Sequence, residues 1–539
     1  MKNLLKKGTR CLIVQSKFSE FSFWNYVDVC KIAGAKYPAA PLGLMTVAAL
    51  LPQQWEFKLI DENVEPLLDE YFDWADIVCT GGMLPQQQGI LSVIDKAHLH
   101  GCPVVAGGPD PTSQPEFYRT ADFLVLGEGE VTIPEFIKDL EKGSTGGEYK
   151  SEKRADMTNA AVPRFDLIKF KDYLQIGMQY SRGCPFNCEF CDIIELYGRK
   201  ARTKTQEQIL KELESLFELG YRGHIDFVDD NFIGNKKTVK TVLTAVREWS
   251  KAHNYPFYFS TEASMNLADD DELLQLMKDV DFRFVFLGIE TPDEDVLKSI
   301  NKKININKSI TDVVNKISSY GMVVNAGCII GFDKENEKTA ENMKKCIQYS
   351  GIVMAMVGKL YALPNTQLTK RLKEEGRLLE NGSTLRDTNT QIDQMSSSLN
   401  FITSRSRADV LRDYIHVVKY IYKPRNYYER VIHTGLMLKP SNKYKPDFVR
   451  GLKTMGSFLK LCLRVGFNRT TGLLYWKMLF TVLLKNSKGI EAAVNLAAMF
   501  VHFSKQAQFI IELTNREIDS IESLGEDEYY KSMINSLKK

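Results

Sequence analysis

Short apolar runs alternate with segments of helical periodicity between about residues 10 and 140. The apolar runs lie at 11–15, 57–60, 77–80, 104–106 and 123–126, and helix-period segments such as 43–51 and 89–100 lie between them. This alternation predicts an α/β fold with a parallel, doubly wound, Rossmann-like sheet. Glycine-containing turns follow three of the runs, at 80–82, 107–110 and 127–130. Sheets of this type bind ligands at the carboxyl ends of their strands, so these turns are candidate binding positions.

A second series of strand and helix patterns runs from about residue 174 to 365. Its apolar runs lie at 174–180, 224–228, 257–260, 284–289, 323–330 and 357–363. Six strand–helix units predict a partial (βα)6 barrel of the TIM type, with chemistry at the strand C-termini. The polar stretch at 141–154, with three glycines, is typical of a linker. The predicted domains are therefore 1–145, a linker at 146–173, the barrel at 174–385 and a C-terminal region at 386–539.

The C-terminal region is predicted to be helical, basic and aromatic. Residues 401–490 contain 18 Lys and Arg against 4 Asp and Glu, a net charge of +14 within a chain whose net charge is +2. Stretches such as 458–467 and 473–485 mix apolar residues with Lys and Arg. Three interpretations stay open: a helical cap on the barrel, contact with anionic lipid headgroups, or an RNA-binding surface. The chain carries no nucleic-acid motif, which makes nucleic acid the weakest of the three.

Composition places the chain among folded proteins of a reducing compartment. Hydrophobic residues make up 44% and charged residues 26%. The N-terminal charges are not followed by an apolar core, and no run of about 18 uncharged apolar residues appears, so neither a signal peptide nor a spanning helix is expected. The 10 cysteines do not form a secreted disulfide framework. We expect a cytoplasmic protein, with peripheral contact to the inner face of the membrane as an option.

Three cysteines lie close together in the segment 181–191, at Cys184, Cys188 and Cys191. Thiolates are the ligands that iron–sulfur clusters require, and three of them leave one iron of a [4Fe–4S] cube without a protein ligand. An open metal position is where a substrate or co-substrate binds. The alternatives are a zinc site or buried structural cysteines, but zinc needs a fourth ligand and the next histidine is His224.

The spacing C-x-x-x-C-x-x-C after the first strand of a βα barrel resembles the radical SAM superfamily over residues 174–365. This resemblance implies that the free iron binds S-adenosylmethionine (SAM), and that one electron cleaves the sulfonium to give a 5′-deoxyadenosyl radical. It implies a reducing partner such as flavodoxin or ferredoxin. It also implies that Phe190, just before the third cysteine, stacks near the adenine; packing in the core is the alternative for this ring.

Polar residues at later strand ends are the remaining candidates for SAM contacts. The resemblance implies that Asp229 and Asp230 accept hydrogen bonds from the methionine amino group, and that Glu262 and Glu290 contact ribose or methionine. Gly331 ends a strand that resembles the family's adenine-side glycine strand, where a small residue lets backbone approach a ligand. The alternative for each acidic residue is a helix N-cap at a strand-to-helix turn.

The N-terminal domain resembles the cobalamin-binding domain that precedes some radical SAM barrels. The turns that would hold the corrin and its nucleotide tail contain Thr80, Gly81, Gly107, Gly108, Gly127 and Glu128. The D-x-H-x-x-G motif, whose histidine ligates cobalt from below, is absent, so the lower ligand of cobalt stays open. The alternatives are a domain that holds nothing or that holds another nucleotide, because fold alone does not settle function.

The segments 191–199 and 227–235 resemble one cobalamin-dependent subgroup, which includes the hopanoid C-2 methylases. The resemblance implies a methyltransferase that acts on a carbon of a hydrophobic, isoprenoid-like or other lipid substrate. The cofactors would carry the difficult chemistry, and the protein would orient them and exclude oxygen and water. Ring formation, rearrangement or sulfur insertion with the same cofactors is one alternative. A non-catalytic cobalamin or redox sensor is another.

Overall fold

Parallel strands and helices alternate through most of the chain and give way to helices alone near its C-terminal end. The computed structural model describes residues 7–18, 21–379 and 395–536. Its strands, in chain order, are β1 (Arg10–Gln15), β2 (Tyr37–Ala39), β3 (Glu56–Asp61), β4 (Ile77–Gly81), β5 (Val104–Gly107), β6 (Phe123–Val125), β7 (Gly147–Tyr149), β8 (Tyr173–Met178), β9 (Ser181–Arg182), β10 (Arg202–Thr203), β11 (Gly223–Phe227), β12 (Phe257–Ala263), β13 (Phe282–Glu290), β14 (Val323–Ile330) and β15 (Ala355–Lys359).

The α-helices differ in length along the chain, and the longest lies in the C-terminal region. In chain order they are α1 (Val27–Ala33), α2 (Leu42–Leu50), α3 (Asp69–Trp74), α4 (Gln87–Leu99), α5 (Pro109–Ser113), α6 (Gly129–Glu141), α7 (Ile193–Leu196), α8 (Gln206–Glu218), α9 (Lys236–Ala252), α10 (Asp271–Asp279), α11 (Glu294–Ser299), α12 (Ile310–Ser319), α13 (Thr339–Ser350), α14 (Gln367–Glu374), α15 (Arg407–Ile421), α16 (Pro424–Met437), α17 (Phe448–Leu461), α18 (Gly472–Lys485), α19 (Ile490–Leu524) and α20 (Glu526–Ser536).

The N-terminal sheet is parallel throughout, with strand order β3-β1-β4-β5-β6-β7. Strand β1, which lies between β3 and β4, has four consecutive fully buried residues, 11–14, as expected where helices cover both faces of a parallel sheet. The prediction of a doubly wound sheet is therefore confirmed. One part of the predicted linker is not a linker, because Gly147–Tyr149 forms the edge strand β7, with Val125 paired to Tyr149. The Gly-Glu-Tyr sequence of this strand has too few apolar residues for a strand pattern.

The second sheet forms the partial barrel and has strand order β15-β14-β13-β12-β11-β8-β2. The six predicted strands are all present, and the prediction of a partial (βα)6 barrel is confirmed. Strand β2 is an addition that comes from the N-terminal part of the chain, where Tyr37 pairs with Tyr173. Helix α8 begins as its capping box predicts: Gln208 N donates to Thr205 Oγ1 at 3.3 Å, and Thr205 N donates to Gln208 Oε1 at 2.8 Å.

The C-terminal region is helical, as predicted, and packs on the barrel. One hydrophobic core runs from Ile13 in the N-terminal sheet through Val285 in the barrel to Val417 and Phe503 in the C-terminal helices. The three parts of the chain therefore share one interior. The predicted boundary between barrel and C-terminal region, at 385/386, lies outside the described residues. Among the helices of the described residues, none combines the length with the hydrophobicity that a membrane-spanning segment requires.

Candidate active site

The three clustered cysteines lie on a loop that follows β8 and β9 at the mouth of the barrel. Gly183 begins this loop with a φ of +88°, a conformation that favours glycine. A Cβ at this position would lie 2.7 Å from the Lys200 carbonyl oxygen and 2.8 Å from that of Gly198. Only glycine therefore lets the cysteine loop, residues 183–191, pack against the segment 197–200.

The donor set of the cysteine loop fits an iron–sulfur cluster. Cys188 is buried, Cys184 and Cys191 are half-buried, and all three are free thiols. Burial raises the pKa of each thiol, while the nearby positive charge of Lys302 lowers it and so favours the thiolate that binds metal. No three His, Cys, Asp or Glu side chains of the described residues are placed to hold a single metal ion. The thiolates of a cluster bind different irons, so this finding concerns single-ion sites.

Asp229 and Asp230, which follow β11, hold the start of the cysteine loop. Asp229 is buried and accepts hydrogen bonds from the backbone N–H of Tyr180 at 3.1 Å, the backbone N–H of Ser181 and the Ser181 hydroxyl at 2.6 Å. Asp230 accepts from the Gly183 N–H at 2.9 Å. Burial raises the pKa of Asp229 to about 7 and that of Asp230 to about 6. Because the Asp229 oxygens are occupied, its predicted contact with the SAM amino group gains no support from the geometry.

Glu262 and Glu290 lie at the ends of β12 and β13, as the sequence indicates. Glu262 lines a cavity inside the barrel, and burial raises its pKa to about 8. Glu290 is buried, has a φ of +66°, which is uncommon outside glycine, and accepts a hydrogen bond from Lys302 Nζ at 2.7 Å. The structure therefore brings Glu290, Lys302 and the cysteine loop together at one end of the barrel.

Phe190 and the end of β14 meet at a cavity of about 690 Å³. Phe190 is half-buried and lies 5.8 Å from the Phe332 ring, centroid to centroid. Phe190 thus lines this cavity and also packs against the hydrophobic core. Gly331 lies beside Phe332 with a φ of +120°, and its N–H donates to Glu335 Oε2 at 2.9 Å. Both predicted adenine-side positions are therefore brought together.

A larger cavity, of about 860 Å³, occupies the interior of the barrel. Residues of β8, β11 and β12 line it, and His224 and Asp226 of β11 face it together because alternate side chains of a strand lie on the same side. The hydrogen-bonding side chains of its lining include Gln175, His224, Asp226, Ser260 and Glu262. Its aromatic rings include Phe23, Trp24, Tyr26, Phe284 and Phe286. We call this space the barrel cavity. It reaches from the strand ends near the cysteine loop to helices α1 and α17 at the other end of the barrel.

The predicted cobalamin positions lie at the carboxyl edge of the N-terminal sheet. A Cβ on Gly81 would lie 2.2 Å from the Gly107 carbonyl oxygen, and one on Gly107 would lie 2.6 Å from that of Val125, so these strand ends require glycine. Gly108 and Gly127 have φ values of +97° and +84°, and a Cβ at Gly127 would meet no atom within 4 Å. This side-chain-poor edge, open beside Gly127, fits a flat macrocycle that lies against backbone.

Two other predicted cobalamin residues have protein partners. Thr80 is buried, and its hydroxyl donates to the Val14 carbonyl oxygen at 3.1 Å, which ties β4 to β1. The Glu128 carboxylate, at the start of α6, pairs with Arg182 at 3.1 Å and Arg202 at 2.9 Å. The prediction that Thr80 and Glu128 contact cobalamin gains no support from these orientations. Glu128 instead joins the edge of the N-terminal sheet to the residues that flank the cysteine loop.

Sequence reasoning did not identify Lys302, Arg182 or Glu335 as part of this site. Arg182 donates to Glu130 at 2.8 and 2.7 Å, and these hydrogen bonds raise the pKa of its guanidinium further despite its burial. The position of Arg182 immediately before Gly183 was the available signal. Lys302 is far from the cysteines in the chain, and no local pattern marks it.

Family models match all three parts of the chain. The B12 binding domain matches residues 30–137, the Radical SAM superfamily matches 178–347, and a domain of unknown function, DUF4070, matches 366–515. The first two matches cover the two sheets described above. The third covers part of the helical C-terminal region.

Relatives align with nearly the whole chain. An uncharacterized methyltransferase of Synechocystis sp. is 40% identical over 93% of this chain and 92% of its own length. The hopanoid C-2 methylase of Rhodopseudomonas palustris is 34% identical over 83% of this chain and 84% of its own length. The structure of the cobalamin-dependent radical SAM enzyme OxsB with aqua-cobalamin has the same fold, with a TM-score of 0.58 and 16% identity, over 98% of this chain and 84% of OxsB. These matches show that the chain belongs to the cobalamin-dependent radical SAM methyltransferases, in the family that contains the hopanoid C-2 methylase.

Proposed function

We propose that this enzyme transfers a methyl group to an unactivated carbon of a hydrophobic, isoprenoid-like lipid. The observation that carries the proposal is the barrel cavity, whose volume of about 860 Å³ suits a bulky ligand. Its walls include the aromatic rings of Phe23, Trp24, Phe284 and Phe286. The hydrogen-bonding groups on the same walls would orient a substrate that has an apolar body and few polar groups.

The cysteine loop is the proposed site of the radical chemistry. Cys184, Cys188 and Cys191 would hold a [4Fe–4S] cluster and leave one iron to SAM. When bound, the cluster and SAM supply the radical that removes hydrogen from the substrate carbon, and cobalamin supplies the methyl group. The protein holds the loop through Asp229 and Asp230, and the Lys302 ammonium compensates the negative charge that three thiolates bring.

The remaining polar residues are proposed to orient SAM and cobalamin. Burial raises the pKa of Glu262 to about 8, which favours its protonated form at neutral pH, so it would donate a hydrogen bond to SAM. Phe190 and Gly331 would line the adenine side, next to the cavity of about 690 Å³. The open backbone edge at Gly107, Gly108 and Gly127 would support cobalamin.

The relationship to the hopanoid C-2 methylase supports a lipid-like substrate. The alignment covers 83% of this chain and 84% of the hopanoid C-2 methylase. We further propose that the enzyme takes its electrons from a protein such as flavodoxin or ferredoxin and works at the inner face of the cytoplasmic membrane. A lipid substrate held in a bilayer would require contact between the enzyme and a membrane.

Anaerobic reconstitution with iron, sulfide, cobalamin and SAM carrying a deuterated methyl group tests the proposal. Extracted lipids and the water-soluble metabolite fraction from the same cells are supplied in parallel. We expect 5′-deoxyadenosine together with a lipid whose mass increases by a labelled methyl group. Label in the water-soluble fraction alone would overturn the substrate proposal. Lipid conversion without retained label would mean that methyl transfer is not the reaction.

A further inference from the structure

A stripe of exposed apolar side chains runs along α17 and the π-helical turn Cys462–Gly466. Phe448, Leu452, Met455, Leu459 and Leu463 recur every three or four residues, and each side chain is more than half exposed. Such a period places them on one face of the helix. A helix that packs only against its own protein buries this face, so α17 presents apolar surface that the described residues leave uncovered.

The stripe continues onto α18 through a chain of aromatic rings. Phe467 lies 6.4 Å from Trp476, and Trp476 lies 6.0 Å from Phe480, measured between ring centroids. Leu473 and Leu484 of α18 are 88% and 83% exposed. We call the exposed apolar residues of α17, the π-helical turn and α18 the apolar face. Monomeric soluble proteins rarely expose contiguous apolar patches of more than a few hundred Å², and larger ones mark interaction sites.

Positive charge surrounds the apolar face. Residues 448–485 contain no Asp or Glu, and their basic residues are Arg450, Lys453, Lys460, Arg464, Arg469, Lys477 and Lys485. All of these except Arg450 are exposed. Apolar side chains flanked by Lys and Arg match the surface of a bilayer, where acyl chains lie directly beneath anionic headgroups.

The apolar face adjoins one end of the barrel cavity. Lys453, Thr454 and Ser457 of α17 line the cavity, and Lys453 and Thr454 are exposed residues. The cavity therefore reaches the protein surface at α17. Arg450 fixes the start of this helix at the barrel, since its guanidinium donates to the Gly220 carbonyl oxygen at 3.3 Å.

We infer that the apolar face docks the enzyme on an anionic lipid bilayer, with the α17 end of the barrel cavity next to that bilayer. The occupant is a bilayer because cations and apolar side chains alternate over both helices, whereas RNA needs cations without the apolar stripe. A second copy of this chain is a poorer occupant, because two apolar faces that both carry positive charge would repel each other. Entry of a lipid substrate from this bilayer into the barrel cavity rests on the proposed function, but the docking itself does not.

Vesicle sedimentation of the full-length protein tests the docking. Phosphatidylcholine vesicles are compared with vesicles that also contain phosphatidylglycerol, and we expect binding to the anionic vesicles that weakens as salt increases. The double variant L459E/L463E should lower the partition coefficient by about tenfold or more, because two exposed apolar side chains that would enter the bilayer are replaced by carboxylates. L99E is the matched control: Leu99 is 86% exposed on α4, outside the apolar face, and its change should leave binding unaltered.

The charges are tested separately with K460E/K477E, for which K211E on α8 is the control. We expect weaker binding to anionic vesicles and no effect of the control. Equal binding of the wild-type protein to both vesicle types, or no binding, would overturn the inference. So would RNA binding that these variants abolish, or a dimer in vesicle-free buffer that L459E/L463E dissociates.

Production of 5′-deoxyadenosine from SAM without lipid separates this inference from the proposed function. L459E/L463E should retain that reaction, since both residues lie on the surface, away from the cysteine loop. Vesicle binding without lipid methylation would overturn the proposed substrate and leave the docking intact. Lipid methylation without vesicle binding would overturn the docking and leave the proposed substrate intact.

Discussion

The Arg182 guanidinium and the Glu130 carboxylate join the cysteine loop to the N-terminal sheet through hydrogen bonds of 2.8 and 2.7 Å. Arg182 lies two residues before Cys184, and Glu130 lies in the first turn of α6. Both side chains are nearly buried, at 13% and 11% exposure. The pair therefore fixes the distance between the proposed cluster site and the proposed cobalamin site, which two independently moving domains could not do.

Removal of Arg182 should destabilise this junction. The R182M variant leaves Glu130 buried and unpaired, which we expect to lower the free energy of unfolding by about 3 kcal/mol. E130Q alone should cost less, because Arg182 keeps Glu128. Urea unfolding of the single and double variants should give a coupling energy of about 2 kcal/mol.

The exposed pair Lys142–Asp139, at 2.8 Å, is the control and should give a coupling energy close to zero. Additive effects at Arg182 and Glu130 would contradict the prediction.

The Cys188→Ala variant should abolish SAM cleavage, because two thiolates do not hold the cluster in place. We expect loss of iron, of cluster absorbance and of 5′-deoxyadenosine after anaerobic reconstitution. Cys346→Ala is the control: Cys346 lies on α13, away from the cysteine loop, and its loss should leave the cluster unchanged. Turnover by Cys188→Ala without a cluster, or zinc on the three wild-type thiols, would refute the assignment.

The strands and the cysteine loop were predictable because their signals are local. Apolar runs such as 323–330 mark buried parallel strands, and the three cysteines lie within eight residues of each other. Strand β2 was not predictable in this way. Tyr37–Ala39 is a short segment whose partner, β8, lies more than 130 residues later, so only tertiary structure assigns it to the barrel.

The partners of charged residues also escaped prediction. The sequence marked Glu128, Asp229 and Glu290 as polar residues at strand ends, which is where the structure has them. It did not indicate that Arg182 and Arg202 pair with Glu128, or that Lys302 pairs with Glu290. A carboxylate at a strand end binds whichever group the fold brings near it. These partners lie 12 to 74 residues apart in the chain, so no periodic pattern in the sequence identifies them as pairs.

His224 should make the protein less stable at acidic pH. Burial in the barrel lowers its pKa from 6.5 to about 3. Between these values the unfolded chain binds a proton that the folded chain does not, so the free energy of unfolding falls as the pH falls below about 6.5. We expect His224 to account for a loss of about 2 kcal/mol between pH 7 and pH 5.

The comparison of wild type with His224→Gln isolates this contribution. Glutamine cannot take up the proton but can still hydrogen-bond to Ser260, which lies 2.7 Å from the imidazole Nε2. Urea unfolding at the two pH values should therefore show a smaller acid-induced loss for the variant. An identical loss in both proteins would mean that the imidazole is protonated in the folded state.

Glu335 should have the opposite effect on the pH dependence of stability, because its burial raises its pKa even though the hydrogen bond from Gly331 lowers it. Burial raises the pKa of Glu335 to about 8, above its ordinary value of 4.5, and its carboxyl accepts the Gly331 N–H at 2.9 Å. Between these values the folded chain holds a proton that the unfolded chain has lost. The free energy of unfolding therefore falls as the pH rises, by about 2 kcal/mol between pH 6 and pH 8.

Glu335→Gln and Glu335→Ala distinguish the charge of this residue from its hydrogen bond. The Gln variant keeps a neutral acceptor for Gly331, so its stability should stop falling between pH 6 and pH 8 while SAM binding is retained. The Ala variant leaves the Gly331 N–H unpaired in the interior, which should cost about 1–3 kcal/mol at every pH. Gly331 directly follows β14 and precedes Phe332, which lines the same cavity as Phe190, so the Ala variant should also weaken SAM binding. Equal SAM affinity of the wild type, Glu335→Gln and Glu335→Ala would mean that Gly331 does not contribute to the adenine side of the SAM site.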